Sequence, residues 1–457
     1  MRKIHERSAT LSAAYADRAL VRALRKGEKG MKEGGEQFLT RAPLELPYRL
    51  KDGREFDPYK SRLENSSLFN ATARTVQTLS GKPFSKEVTA ETESARGKPY
   101  LENWVNNIDG RGTGLHEFSR KLFIEGLWSG LAHVLVESPE GLNRKPYATI
   151  VHPDLIMEAE EIDGELVLLR IAESAKRVSP DGLSVERVKR ERVYKKVNGV
   201  VEWAVFEADE KGNPVQITDW KQHGMSFIPL LTYYADPDQS SEFFECEPPI
   251  QDLANLNLKH WRESSSQSNS LQVAKIPLLY ASGLASDTEL KIGSDSIIMG
   301  DSDSDLRYVE HQGHALGAGR LSIQDIELQM QSMGLEFMTL KSGSETATGR
   351  ALNADGNNSS LASMARTLGS LLSNVLDVMG LYVLVNDLLS KVHVHTDYGV
   401  TISAEELREL STMRQLGDLS RYEYAQEMKR RGVLRSGFDF DANEERLRAE
   451  EDAAVSI

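Results

Sequence analysis

The chain has 457 residues, 40% of them hydrophobic and 27% charged, with a formal net charge of −14. That is enough apolar sequence to bury a core in roughly two to four domain-sized parts, and it excludes a disordered or fibrous chain. A single cysteine, Cys246, excludes an internal disulfide and a cysteine-cluster metal site, and the acidic balance excludes a broadly basic nucleic-acid-binding surface.

The opening stretch, Met1 to Arg7, has no apolar run and no cleavage site, so no export signal is expected. The most hydrophobic window, Leu368 to Leu389, is interrupted by Asn374, Asp377, Asn386 and Asp387, which rules it out as a membrane span; a soluble protein of a reducing compartment is expected. Residues 10–28 read as one amphipathic helix ending in the basic run Arg25-Lys26-Gly-Glu-Lys29, a solvated helix end. From Tyr59 to Phe84, Leu68, Thr72, Val76 and Leu79 share a helical face that Gly81 and Pro83 bring to a stop. Asp109-Gly-Arg-Gly-Thr-Gly114 imitates a phosphate-binding loop. It lacks the preceding strand and the GxGxxG spacing, so it is read as a turn feeding a helix over 115–131, with Thr113 as cap. His133–Glu137 and Tyr147–Pro153 then read as strands.

Between Leu155 and Tyr234 the period changes from helical to alternating. Strands are expected at 166–171, 191–197, 200–206 and 227–233, with turns at Asp163-Gly164, Asn198-Gly199 and 211–213. This antiparallel sheet offers no carboxylate pair and no Ser/His/Asp set. Pro248-Pro249 resets the chain into a second long helix from Ile250 to about Ala274. Its apolar face of Ile250, Leu253, Leu256 and Trp261 gives way to Ser264–Ser270, which is too polar for a core and predicts a wet or channel-lining end. Residues 276–318 form a compact piece with short strands near 277–280 and 296–299. Its acidic turn Asp301–Asp305 lacks the glycine and glutamate of a calcium loop.

The stretch 319–390 organises the rest. Ile323, Ile326, Met330, Met333, Phe337 and Leu340 fall three and four apart, a seam that asks for a neighbouring helix. Lys341 to Arg350 is rich in glycine and hydroxyls, so it predicts a free-standing loop, reaching to residue 358. After the capping residues Asn357, Asn358 and Ser359, one face of a helix of about thirty residues, roughly 45 Å long, carries Leu361, Met364, Leu368, Leu371, Leu372, Val375, Met379 and Tyr382. His393 and His395 alternate on a short strand with no third ligand in view, so no metal is expected. Segments 404–415 and 420–431 read as a helix pair, and the charged tail 443–452 as frayed.

The order of these elements, together with Tyr59–Phe84, Asp109-Gly-Arg-Gly-Thr113 with Phe118, the run from Pro248 through Asp252, Leu256 and His260-Trp-Arg262, Glu345-Thr-Ala-Thr348 and His395-Thr-Asp-Tyr398, resembles the portal proteins of tailed bacteriophages. More narrowly, it resembles a portal-like domain family long described as of unknown function. The resemblance covers most of the chain.

It implies an α+β portal fold with an N-terminal helical and β wing region (1–249), a stem helix (250–275), a small α/β clip (276–318) and a second stem helix (319–340). A tunnel loop (341–358), a long wing helix with a strand (359–403) and a helical crown-like region with its tail (404–457) complete it. A ring homo-oligomer follows from the resemblance, usually a dodecamer, at one capsid vertex of a virion assembled in the bacterial host cytoplasm. Its partners would be major capsid and scaffold proteins, the large terminase subunit, a head-tail adaptor, and double-stranded DNA held in the channel without sequence specificity. Lys341, Ser342, Ser344, Thr346, Thr348 and Arg350 would face that DNA, touching phosphates without gripping them. No catalytic residues, metal, cofactor or membrane contact are implied, and no GxxxxGK[ST], HExxH or GxSxG motif is present. A cytoplasmic scaffold or adaptor that never meets DNA, or an uncharacterised hydrolase, are the competing readings.

Overall fold

The computed structural model describes residues 2–50, 52–138, 145–179, 181–236, 244–275, 278–282, 305–309, 314–335, 347–396, 404–430, 433–434 and 438–455. Helices and antiparallel strands fall into two units that interleave along the chain: Met1–Thr78, Ile124–His133 and Val151–Ser342 form one, and Leu79–Phe123, Val134–Ile150 and Gly343–Ile457 the other.

In the first unit the alternating stretch becomes an antiparallel sheet. Its strands run Pro214–Gln216, Val200–Ala208, Val185–Val197, Glu165–Val178 and Ile156–Ile162 in spatial order, with Lys221–Gln222 also pairing on Val200–Ala208. The hairpins turn where expected. Asp163-Gly164 and Asn198-Gly199 have positive φ at both residues (52° and 79°; 50° and 79°), the twist a two-residue antiparallel turn demands. Leu169, Ile171, Tyr194 and Val201 bury one face. Two of the strands run well past the expected 166–171 and 191–197, as the hairpin Glu165–Val178 with Val185–Val197.

The single helix expected over 10–28 is instead three: Ala9–Asp17, Ala19–Arg25 and Glu28–Gly34. The first break falls at Arg18, whose buried guanidinium lies 3.5 Å from Asp154, and the second at Gly27, with φ 73°. Arg25, Lys26 and Lys29 are exposed, as a solvated helix end should be, and Arg25 Nη1 also donates to Glu125 Oε2 at 2.8 Å. Tyr59–Phe84 likewise divides into Pro58–Asn65 and Ala71–Gly81. Ser66 Oγ donates to the Arg62 carbonyl at 2.7 Å, and Asn70 Oδ1 caps Ala73 N at 3.0 Å, which leaves Leu68 in the connection.

The second unit is built on one helix, Ala347–Tyr382, whose 36 residues span roughly 54 Å. It starts well before Ser359, so much of the expected loop 341–358 is helical; Ala347, Ala351, Leu352 and Ala354 are strong helix formers, and the glycines among them cost only about 1 kcal/mol each. The expected apolar face holds: Leu361, Leu368, Leu372, Val375 and Met379 are buried, and Tyr382 donates to the Val136 carbonyl at 3.0 Å. Strand Lys391–His393 pairs with Thr89–Glu91. It lies so close to the helix that a Cβ on Gly369 would stand 3.0 Å from the Val392 carbonyl oxygen.

The glycine-rich segment 109–114 is a turn, as expected. Asp109 Oδ1 accepts from Arg111 N (2.8 Å) and Thr113 N (3.1 Å), and the helix Leu115–Ser129 follows. Its first bond, Phe118 N to Gly114 O, makes Gly114 the cap residue in place of Thr113. The helix pair Ala404–Leu416 and Arg421–Arg430 matches expectation, whereas the tail forms the helix Phe440–Val455 in place of a frayed end.

Candidate functional site

Helices Gln251–Ala274 and His314–Met330 pack against each other in the first unit. Leu253 near the start of one lies with Ile326 and Met330 at the end of the other, and Gln267 near the far end donates to Leu316 O at 2.8 Å. The two helices therefore run antiparallel. Between them lies an antiparallel strand pair, Leu278–Ser282 with Asp305–Val309. The expected strand at 296–299 and most of the acidic turn fall outside the described residues.

The foot of the pair is fixed into its own unit. Leu253, Ile326, Met330 and Ala71 are buried together, with Phe69 and Leu256 packed on them. Asn257 is fully buried and satisfied: its Oδ1 accepts from Thr72 N and Thr72 Oγ1, both at 3.1 Å, and its Nδ2 donates to Phe69 O at 2.9 Å. His260 Nε2 lies 3.2 Å from Glu327 Oε1, which ties the two helices, and Trp261 is buried beside it in the sequence. Arg62 grips Glu45 through two bonds of 2.6 and 2.8 Å and also donates to Thr40 O; the guanidinium holds the Glu45 carboxyl below the usual carboxylate range. Ser66 and Arg62 both reach Ser265 Oγ, at 2.7 and 3.4 Å.

The serine-rich segment thus has two characters. Ser265 is buried in this polar contact, whereas Ser266 and Ser268 to Gln272 stand exposed, the wet end that their composition predicts. At that end Gly319 lies against the tip of the Gln267 side chain, where a Cβ would stand 2.2 Å from Oε1.

The expected seam is divided. Ile326 and Met330 are buried and Ile323 half-buried, but Met333 is 51% exposed, in the wide turn Gln331–Leu335 that shifts the helical register. Phe337 and Leu340 lie outside the described residues. An outward apolar ridge that sequence reasoning missed is carried by Leu321 and Leu328, 59% and 61% exposed and two turns apart. Their spacing was visible, but a helical period alone does not say which of two apolar rows faces inward. Of the residues expected to face DNA, Lys341, Ser342, Ser344 and Thr346 lie outside the described residues, and Thr348 and Arg350 fall in the first turn of Ala347–Tyr382.

Elsewhere in this unit, His133 is buried with its Nδ1 3.0 Å from Thr232 Oγ1 and its ring 4.5 Å from Phe244. Burial pushes its pKa down to about 3. His152 is also lowered, first by burial, against the opposing pull of Asp154 and Glu125. Among the described residues no group of three or more His, Cys, Asp or Glu side chains is placed to hold a metal ion, and no helix is long and apolar enough to cross a membrane. In the second unit, His393 Nε2 pairs with Glu91 Oε1 at 3.0 Å.

Comparison with known proteins bears on this same stretch. A family model described as a domain of unknown function, DUF4055, matches residues 249–383, less than a third of the chain. No curated protein matches. Among solved structures, the chain is similar to one from the virion of a native gene transfer agent particle, at 11% identity and a TM-score of 0.44, over 79% of this chain and 88% of that one. It is similar to a chain from the neck of the native particle computed with C12 symmetry, at 11% identity and a TM-score of 0.41, over 86% and 97%. A chain from the neck of the empty particle, computed with C6 symmetry, is similar at 11% identity and a TM-score of 0.44, over 79% and 90%.

Proposed function

We propose that this chain is the subunit of a portal-type ring at one vertex of a phage-like particle, a conduit for double-stranded DNA and a docking site for the packaging motor and the head-tail adaptor. The observation that carries the reading is the antiparallel helix pair. One row of apolar residues is spent inside the subunit, a second row, Leu321 and Leu328, stands in water, and the far end is polar. An exposed leucine ridge on a helix is costly to leave wet, since burying each such side chain is worth about 1.5–3 kcal/mol, and a neighbouring copy of the same pair would cover it. Two further facts support the reading: the order helix, strand pair, helix, long helix follows the resemblance, and the family match spans that series.

In this reading the helix pair is the stem and the strand pair the clip. The start of Ala347–Tyr382, with residues 341–346 before it, borders the channel. A lining dominated by Ser, Thr and Gly, with Lys341 and Arg350 as its cations, contacts phosphates while holding none tightly, which suits DNA that must slide.

Native mass spectrometry with negative-stain class averages tests this directly. The expected result is a closed ring with a central hole wide enough for duplex DNA; assemblies without a channel, formed even alongside scaffold protein, point instead to a cytoplasmic adaptor. Lys341→Ala with Arg350→Ala should leave rings intact and alter DNA packaging, and collapse of the ring would make these residues structural.

A further inference from the structure

The hairpin Glu165–Val178 with Val185–Val197 outruns its sheet. The strand Ile156–Ile162 pairs with it only as far as Ile171, and Val200–Ala208 only as far as Arg190. Beyond those points the register continues from Ser174↔Lys189 to Val178↔Val185, a two-stranded arm of about 17 Å at roughly 3.4 Å per residue. Among the described residues neither edge of that arm has a second strand beside it. Two strands alone are marginally stable in water, so such an arm calls for a surface to lie on.

Its two faces differ in charge. One is compensated within the chain: Arg192 pairs with Glu173 at 2.8 Å, and Arg177 and Arg190 both bind Glu207, whose carboxyl they hold below its ordinary range. The other face carries Lys176, Arg187 and Lys189 with no carboxylate among its residues from 174 to 178 and 185 to 189. Lys176 stands directly opposite Arg187, a like-charge cross-strand pair that weakens a free hairpin. The same face ends in Val178 and Val185, and with Leu183 in the turn these side chains are 63%, 60% and 89% exposed.

We propose that this cationic face and its apolar tip dock on a carboxylate-bearing surface of a second copy of this chain. The copy is the favoured occupant on charge: the chain as a whole carries −14, so a locally positive arm finds its complement on its own kind. The apolar tip favours a protein surface over a phosphate backbone, where valine and leucine gain nothing. The inference rests on the ring reading and adds to it the contact by which one subunit holds the next.

The test uses the full chain. Leu183→Cys is labelled with a thiol-reactive photocrosslinker, Cys246 being buried, and mixed with an isotope-labelled copy. Illumination should join peptides of heavy and light chains. The triple substitution Lys176→Glu, Arg187→Glu and Lys189→Glu should abolish those products and weaken association at least tenfold at low salt. The free subunit should melt at about the same temperature, because the changes break no ion pair within the subunit and exchange one like-charge cross-strand pair for another. A drop in assembly with unchanged melting is what a merely structural role would not produce. Rings that persist in the triple variant with crosslinks confined to one chain overturn the arm contact and leave the ring reading standing. A chain that stays monomeric at every concentration and with scaffold protein overturns both, and crosslinking to added duplex DNA in place of a second copy overturns the choice of partner.

Discussion

The two ends of the helix pair obey opposite rules. At the foot, Leu253 and Leu256 of Gln251–Ala274 pack with Ala71, Ile326 and Met330, and even the polar residues Asn257 and Ser265 are buried against named donors and acceptors. Toward the far end the same helix exposes Ser268 to Gln272, while its partner turns an apolar row outward along its length, Leu321 near its middle and Leu328 beside the foot residues Ile326 and Met330. The inward row is anchored and the outward row is left for contact, so substitutions should separate: changes in the buried foot act on the stability of the subunit, ridge changes on its association.

The largest loss is expected at the foot's polar clamp. Arg62→Ala leaves Glu45 almost buried with no counter-ion and removes bonds to Thr40 O and Ser265, a loss of about 3–5 kcal/mol. Urea unfolding would read it, and a midpoint within error of the parent would mean the clamp is not what fixes the foot. Met330→Ala follows at about 2–5 kcal/mol, because the site between Leu253 and Ile326 is closed and only partly able to collapse.

How much of this was legible follows from what each residue needs. The turns at Asp163-Gly164 and Asn198-Gly199, the helix from Ile250, and the buried row from Leu361 to Met379 were legible because their determinants are local: positive φ, period and caps. The breaks at Arg18 and Ser66 were not, since Arg18 is held by Asp154 far along the chain and Ser66 by Ser265. The arm from Ser174 to Lys189 escaped because neither of its faces is buried, so alternation carried no apolar signal there. The early start of Ala347–Tyr382 was obscured by serines, threonines and glycines that suit a loop as well as a helix. At the site itself, the foot was readable and the outward ridge was not.

Acid provides a second probe of the anchored unit. His133 is neutral in the fold with its pKa near 3, whereas the unfolded chain takes up that proton near 6.5. Between those values the unfolded state binds more protons, so stability is complete above about pH 6.5 and falls as pH drops, by at most about 1.4 kcal/mol per unit from this residue. His152, lowered in the same direction, adds to the slope, whereas the depressed carboxylates Glu45 and Glu207 act only at lower pH. His133→Gln should flatten the loss between pH 6.5 and 5; an unchanged slope would assign it elsewhere.

Leu328→Glu should act the other way round from Arg62→Ala. The side chain is mostly in water, so the free subunit should change by no more than about 0.5 kcal/mol, while assembly read by native mass spectrometry should fall at least tenfold. Equal assembly in the variant would return the ridge to an ordinary exposed surface.

The smallest effect is expected at the far end, where Gly319→Ala sets two terms against each other. The new Cβ would stand 2.2 Å from Gln267 Oε1, so the glutamine must swing away and release its bond to Leu316 O, a loss of about 0.5–1.5 kcal/mol. Alanine in place of glycine within His314–Met330 returns about 1 kcal/mol of helix propensity. The obstructing atom is the tip of a flexible side chain rather than backbone, so the net change should be close to zero. Gln267→Ala alone carries the loss without the gain, and the double variant should recover it. If Gly319→Ala instead costs as much as Met330→Ala, the two helices are held as tightly at the far end as at the foot, and the division between an anchored end and an open one fails.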